Sequence, residues 1–171
     1  IEWPDETPDI DTDFVTVGQN DYETSQAFAA AIAQYDRSGH RETLLFVHGY
    51  NTRHGEAVYQ MAQIAEDFAM PIPTALFSWP SAGVTAGYVY DRDSALIARD
   101  RLEQTIIDLS RGSNRKVVLM GHSMGSQLVM ETLRQIALKG SLDLATYING
   151  VVLMTPDIDG ELFRSQVKSI P

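Results

Sequence analysis

The chain has 171 residues, no cysteine, and 13 Lys+Arg against 23 Asp+Glu, a formal net charge of −10. That length fits one ordinary domain, and 44% apolar with 21% charged residues is the composition of a folded globular protein, not a disordered one. The missing cysteines exclude a disulfide scaffold and a thiolate metal site, the acidic balance offers no basic footprint for nucleic acid, and no apolar run approaches the roughly 18 residues of a transmembrane segment.

Residues 1–36 hold nine of the acids and no Lys or Arg, whereas 37–171 hold the other 14 acids and all 13 basic residues. The acidic start reads as a solvated arm, with an acid-rich docking tail as the alternative. We place the arm at 1–12 and a single core at 13–171. Ile1 stands where neither an initiator Met nor a signal peptide is found, so a processed or trimmed product is expected, and the compartment is unknown.

Asp13 to Val17 is short and β-branched and predicts a strand. The alanine-rich stretch from Ser25 to Tyr35 predicts a helix ending before Gly39. Thr43 to Val47 is a continuous apolar run, the mark of a strand covered on both faces. Val58, Met61, Ala62, Ala65 and Phe68 recur at helical steps and predict an amphipathic helix closed by Pro71. Thr74 to Trp79 reads as a second buried strand, followed by a Gly/Ser/Pro loop from Pro80 to Gly87.

Asp93 or Ser94 can cap a long helix with Leu96, Ile97, Leu102, Ile106 and Leu109 on its apolar face and Gly112 as its left-handed cap. Lys116 to Met120 is strand, Leu128 to Ile136 carries a helical stripe ended by Gly140, and Ile148 to Met154 is the last clear strand. Leu162, Phe163 and Val167 mark a short amphipathic stretch after it. Strands alternating with helices predict an α/β fold with a mostly parallel sheet and helices on both faces.

Gly121-His122-Ser123-Met124-Gly125 matches G-x-S-x-G between a buried strand and an amphipathic helix. A serine on such a corner is held in strained backbone geometry that lifts its hydroxyl off the sheet. The alternative is a merely structural Gly-rich turn. An acyl-transferring serine also needs oxyanion donors: the N–H of the following residue, Met124, and one from the loop after an earlier strand. His48-Gly49-Tyr50-Asn51 ends the Thr43–Val47 strand, so the N–H of Tyr50 is the expected second donor. The Tyr50 side chain reads equally as packing at the pocket mouth, and His48 as a brace for this loop in preference to a general base.

The segments FVHGYNTRHGEAVYQMAQIAEDF, FSWPSAGVTAGYVYDRDSALIARDRLE, GHSMGSQLVMETLRQ and VVLMTPDID span Phe46 to about Asp159. Together they resemble the α/β-hydrolase superfamily and, within it, a bacterial esterase/lipase-like group long described as a domain of unknown function. The resemblance implies a serine hydrolase that cleaves a small-molecule carboxylic ester or related acyl bond. Ser123 would be the nucleophile, with the Tyr50 and Met124 amides as its oxyanion hole.

The triad order in that fold is Ser, then Asp/Glu, then His. The four histidines, His40, His48, His54 and His122, all precede Ser123. The base, and with it the acid, is therefore expected from C-terminal strands beyond Pro171. A divergent or inactive member and repair by another chain are the alternatives. Asp157 is a candidate acid, as is Asp159 less strongly, against ordinary loop capping. The competing class is a non-enzymatic binding or scaffolding module that keeps the fold.

Trp79 and Ser81 are expected at an acyl-pocket wall. Tyr90, with its neighbours Tyr88 to Ser94, reads as substrate contact or as a helix cap with a local Arg–Asp pair. No P-loop, dinucleotide or metal-protease motif occurs, so neither cofactor nor metal is expected. A fold lacking its last strands would expose a sheet edge, so self-association is expected.

Overall fold

The structure is a computed structural model that describes Asp9 and residues 13–35, 39–140 and 143–170. Apart from Asp9, the acidic arm lies outside the described residues. In chain order the elements are helix α1 (Ser25–Tyr35), strand β1 (Glu42–Val47), α2 (His54–Asp67), β2 (Thr74–Phe77), a 3-10 turn (Thr85–Gly87), α3 (Tyr88–Ile97), α4 (Arg99–Ser113), β3 (Lys116–His122), α5 (Met124–Lys139), α6 (Leu144–Tyr147), β4 (Ile148–Met154) and α7 (Gly160–Ser169). The four strands form one parallel sheet in the order β2-β1-β3-β4.

Alternating residues of the central strands enter two apolar layers. Leu45 and Val47 of β1 and Val117 and Leu119 of β3 meet α1, α4 and α5 through Ala29, Leu102, Ile106 and Leu128. Leu44, Phe46 and Met120 face the other way, onto Met61 and Ile64 of α2. Burying each such large side chain contributes roughly 1.5–3 kcal/mol, which is why β1 and β3 read as unbroken apolar runs. The register pairs Val47 with Phe77 and Gly121, and Gly121 with Leu153. All four strands therefore end at one level, where loops of a parallel sheet gather ligands.

Three expectations are corrected. Asp13 to Val17 forms no strand: Val17 is 86% exposed, and a β-branched stretch that no described strand pairs with stays irregular. The long helix begins at Tyr88 instead of Asp93 or Ser94 and divides at Ala98, where the Arg99 side chain donates to the Leu96 carbonyl at 2.8 Å. Gly112 lies inside α4, where a Cβ would come within 2.7 Å of Ala29; it allows α1 to cross closely, and Asn114 is the left-handed cap.

Candidate active site

Strand β3 ends at His122 and helix α5 begins at Met124, leaving Ser123 as the whole turn. Ser123 takes φ 52° and ψ −122°. A non-glycine residue there is strained by about 1–3 kcal/mol and persists only when its surroundings hold it. They do so from three sides. Its N–H donates to the Met154 carbonyl of β4 at 3.0 Å, and its carbonyl accepts from Ser126 N–H at 2.9 Å and Asp157 N–H at 3.3 Å.

The flanking glycines let the corner close. A Cβ on Gly121 would lie 2.7 Å from the Ser126 Cα, and one on Gly125 only 2.3 Å from the Val47 carbonyl oxygen and 2.4 Å from that of His48. Met124 opens α5, so its N–H belongs to the first turn, which has no intrahelical acceptor, at the positive end of the helix.

The loop after β1 packs against this corner. A Cβ on Gly49 would meet the Ser123 Cβ and His122 Nδ1 at 3.0 Å each. His48 governs how that loop lies. Its Nε2 accepts from Trp79 N–H at 3.1 Å, so the ring proton is on Nδ1, which donates to the Gly49 carbonyl at 2.9 Å. The Trp79 indole lies parallel to the imidazole, 5.0 Å between centroids, and its Nε1–H donates to the His48 carbonyl at 2.8 Å.

Because a trans peptide points its C=O and N–H in opposite directions, holding the Gly49 carbonyl also sets the direction of the Tyr50 N–H. Burial pushes the His48 imidazole below its ordinary value, opposed by its hydrogen bonds to Gly49 and Trp79. Burial lowers half-buried His122 in the same direction.

The remaining site candidates divide. Asp157 stands beside Ser123, bonded through its own N–H, and its Oδ2 accepts from the Tyr88 hydroxyl at 2.9 Å. That bond holds the Tyr88 phenol above its usual range. The Tyr88 ring meets Tyr50 edge-on at 5.4 Å, and the Tyr50 hydroxyl donates to the Thr85 carbonyl. Asp159 caps α7 by accepting from Glu161 and Leu162 N–H, which keeps its carboxyl below the usual range.

Trp79 is 3% exposed and packed under the loop against His48. The Ser81 hydroxyl is bonded to buried Asp91 at 2.6 Å, and Tyr90 is exposed on α3. Among the described residues, no group of three or more His, Asp or Glu is placed to hold a metal ion, and no helix is long and apolar enough to cross a membrane.

A family model described as an alpha/beta hydrolase of unknown function (DUF900) matches residues 23–171. The chain belongs to this family. The match takes in all four strands, the Ser123 corner and the loop after β1. No curated protein matches the chain.

Within this hydrolase-family chain, one member of the Tyr88 to Ser94 group, expected as substrate contact or helix cap, lies elsewhere than at the surface. Asp91 is fully buried, although the expected Arg92–Asp93 pair beside it is exposed at 3.8 Å. Aspartate is almost never buried without partners, and a helix expected to start at Asp93 or Ser94 left no signal that Asp91 would lie inside its first turn. Of the histidines, His40 lies before β1, at the opposite end of the sheet from Ser123, and His54 opens α2.

Proposed function

We propose that the protein is a serine hydrolase that cleaves a small-molecule carboxylic ester or related acyl bond through an acyl-enzyme on Ser123. The observation that carries this reading is the φ and ψ of Ser123, a strained corner held by β4, by α5 and by the Asp157 amide. Strain of this kind at a strand–helix turn has a use when a side chain must stand clear of the sheet.

The Ser123 Oγ attacks the acyl carbonyl, and the Met124 and Tyr50 N–H groups receive the resulting oxyanion. Each such donor typically contributes about 2.7–4 kcal/mol in the transition state. The proton leaving Ser123 needs a base. His48 does not serve, since both its ring nitrogens are engaged and it is buried. In this fold's triad order the acid and the histidine follow the nucleophile, and none of the four histidines here follows Ser123. We therefore assign the base to sequence beyond Pro171, with Asp157 beside Ser123 as the candidate acid to orient it.

The test is turnover of a p-nitrophenyl ester by the full-length protein and its Ser123→Ala variant. The variant is expected to lose about 10⁴-fold or more in kcat. Undiminished turnover would remove Ser123 from the reaction. A second reading, a non-catalytic binding module, keeps the same fold with an inert Ser123. It expects no turnover in either protein.

A further inference from the structure

We propose that Asp91 is a positioning residue, a buried carboxylate that fixes the loop carrying the Tyr50 amide; this rests on the serine-hydrolase reading above. Asp91 has no exposed surface. Its Oδ2 accepts from the Asn51 N–H at 3.1 Å and the Ser81 hydroxyl at 2.6 Å, and its Oδ1 accepts from the Ala82 N–H at 2.6 Å. One carboxylate thus ties the loop after β1 to the loop after β2. The Ser81 oxygen extends the tie by accepting from Thr52 N–H at 3.2 Å.

The Tyr50–Asn51 peptide is consequently held at both ends. Asp91 takes its N–H, and the Thr52 hydroxyl donates to its carbonyl at 3.1 Å. Asn51 sits at φ 53°, a left-handed conformation that the carboxylate helps to maintain. With His48 holding the preceding peptide through the Gly49 carbonyl, Tyr50 is flanked by two fixed peptide planes.

A buried carboxylate is costly unless it is hydrogen-bonded. Its place in the first turn of α3, at the positive helix end, and its three donors stabilise the charge. Its partners lie on the loop after β1, which packs against the Ser123 corner, and on the loop after β2 that it ties to it, which points to loop placement as its role.

The experiment compares wild type, Asp91→Asn, Ser81→Ala and Ser123→Ala in the full-length protein. Asparagine keeps the size of aspartate but turns an NH2 toward one of the donors. In Asp91→Asn, exchange of the Asn51 amide is expected to speed by about 10-fold or more, with the β3 amides unchanged. The kcat for ester hydrolysis is expected to fall about 10- to 100-fold with KM nearly unchanged. The oxo-ester to thiono-ester rate ratio, which reports on oxyanion donors, is expected to fall with it.

Ser81→Ala keeps Asp91 on Asn51 and Ala82, so it is expected to show the same signs at smaller size. It carries the test if Asp91→Asn does not fold. Unchanged Asn51 exchange, or faster exchange with wild-type kcat and rate ratio, would overturn the proposal. Equal turnover by wild type and Ser123→Ala would overturn the parent reading, and a catalytic purpose for Asp91 with it, while the exchange data would still show whether the carboxylate holds the loop.

Discussion

Ser123 sets local stability against exposure of its hydroxyl. The φ of 52° persists because three backbone hydrogen bonds close around it. Replacing Ser123 with glycine should relieve the strain, and replacing it with alanine should not. Ser123→Gly is therefore expected to be about 1–3 kcal/mol more stable than Ser123→Ala in urea unfolding, with both inactive. The glycines around it separate by what surrounds them. A methyl group on Gly125 would run into the backbone carbonyls of Val47 and His48, whereas on Gly55 it meets open space. Gly125→Ala should cost about 3–5 kcal/mol, and Gly55→Ala, in the first turn of α2, should be neutral or stabilising by up to about 1 kcal/mol. The same denaturation series checks both. An equal effect at the two sites would contradict the close crossing of β1 and α5.

The elements meet at His48, which joins the end of β1 to the end of β2 as a neutral ring with its proton on Nδ1. Charging that ring would put a second donor against Trp79 N–H. Burial already holds its folded-state value below the ordinary one of about 6.5. Between those values the unfolded chain binds the proton and the folded chain does not, so stability is full above about pH 6.5 and is lost as the pH falls toward the folded value. Unfolding at about pH 5 and about pH 8 should show this loss, and His48→Gln should reduce it. Half-buried His122 shifts in the same direction and leaves a remainder. Much at this scale was legible in the sequence. Apolar runs gave the four strands, and G-x-S-x-G between a strand and a helix gave the Ser123 corner. What was not legible depends on partners distant in sequence. Asp13 to Val17 has strand-like residues but no described strand beside it to pair with. Gly112 looks like a cap until Ala29 of α1 is laid against it. Asp91 looks like surface charge until Asn51, Ser81 and Ala82 converge on it.

At the scale of the whole molecule, the sheet gathers the Ser123 corner and its neighbouring loops at one end and leaves a side of β4 unpaired among the described strands. β4 pairs with β3 alone among the described strands, and Val151 and Val152 are 40% and 42% exposed on its opposite faces. An apolar strand edge of this kind templates further pairing. The chain is accordingly expected to self-associate in light scattering, and Val152→Lys to shift it toward monomer; a monomeric wild type at high concentration would contradict this. The α/β fold and family membership stand apart from that question, and so does the central claim, that Ser123 is built as a nucleophile. Reaction with a fluorophosphonate, followed by peptide mapping of the adduct, tests it most directly. The account predicts a single adduct on Ser123 in the full-length protein and none in Ser123→Ala. An adduct elsewhere, or equal labelling of the variant, would contradict it.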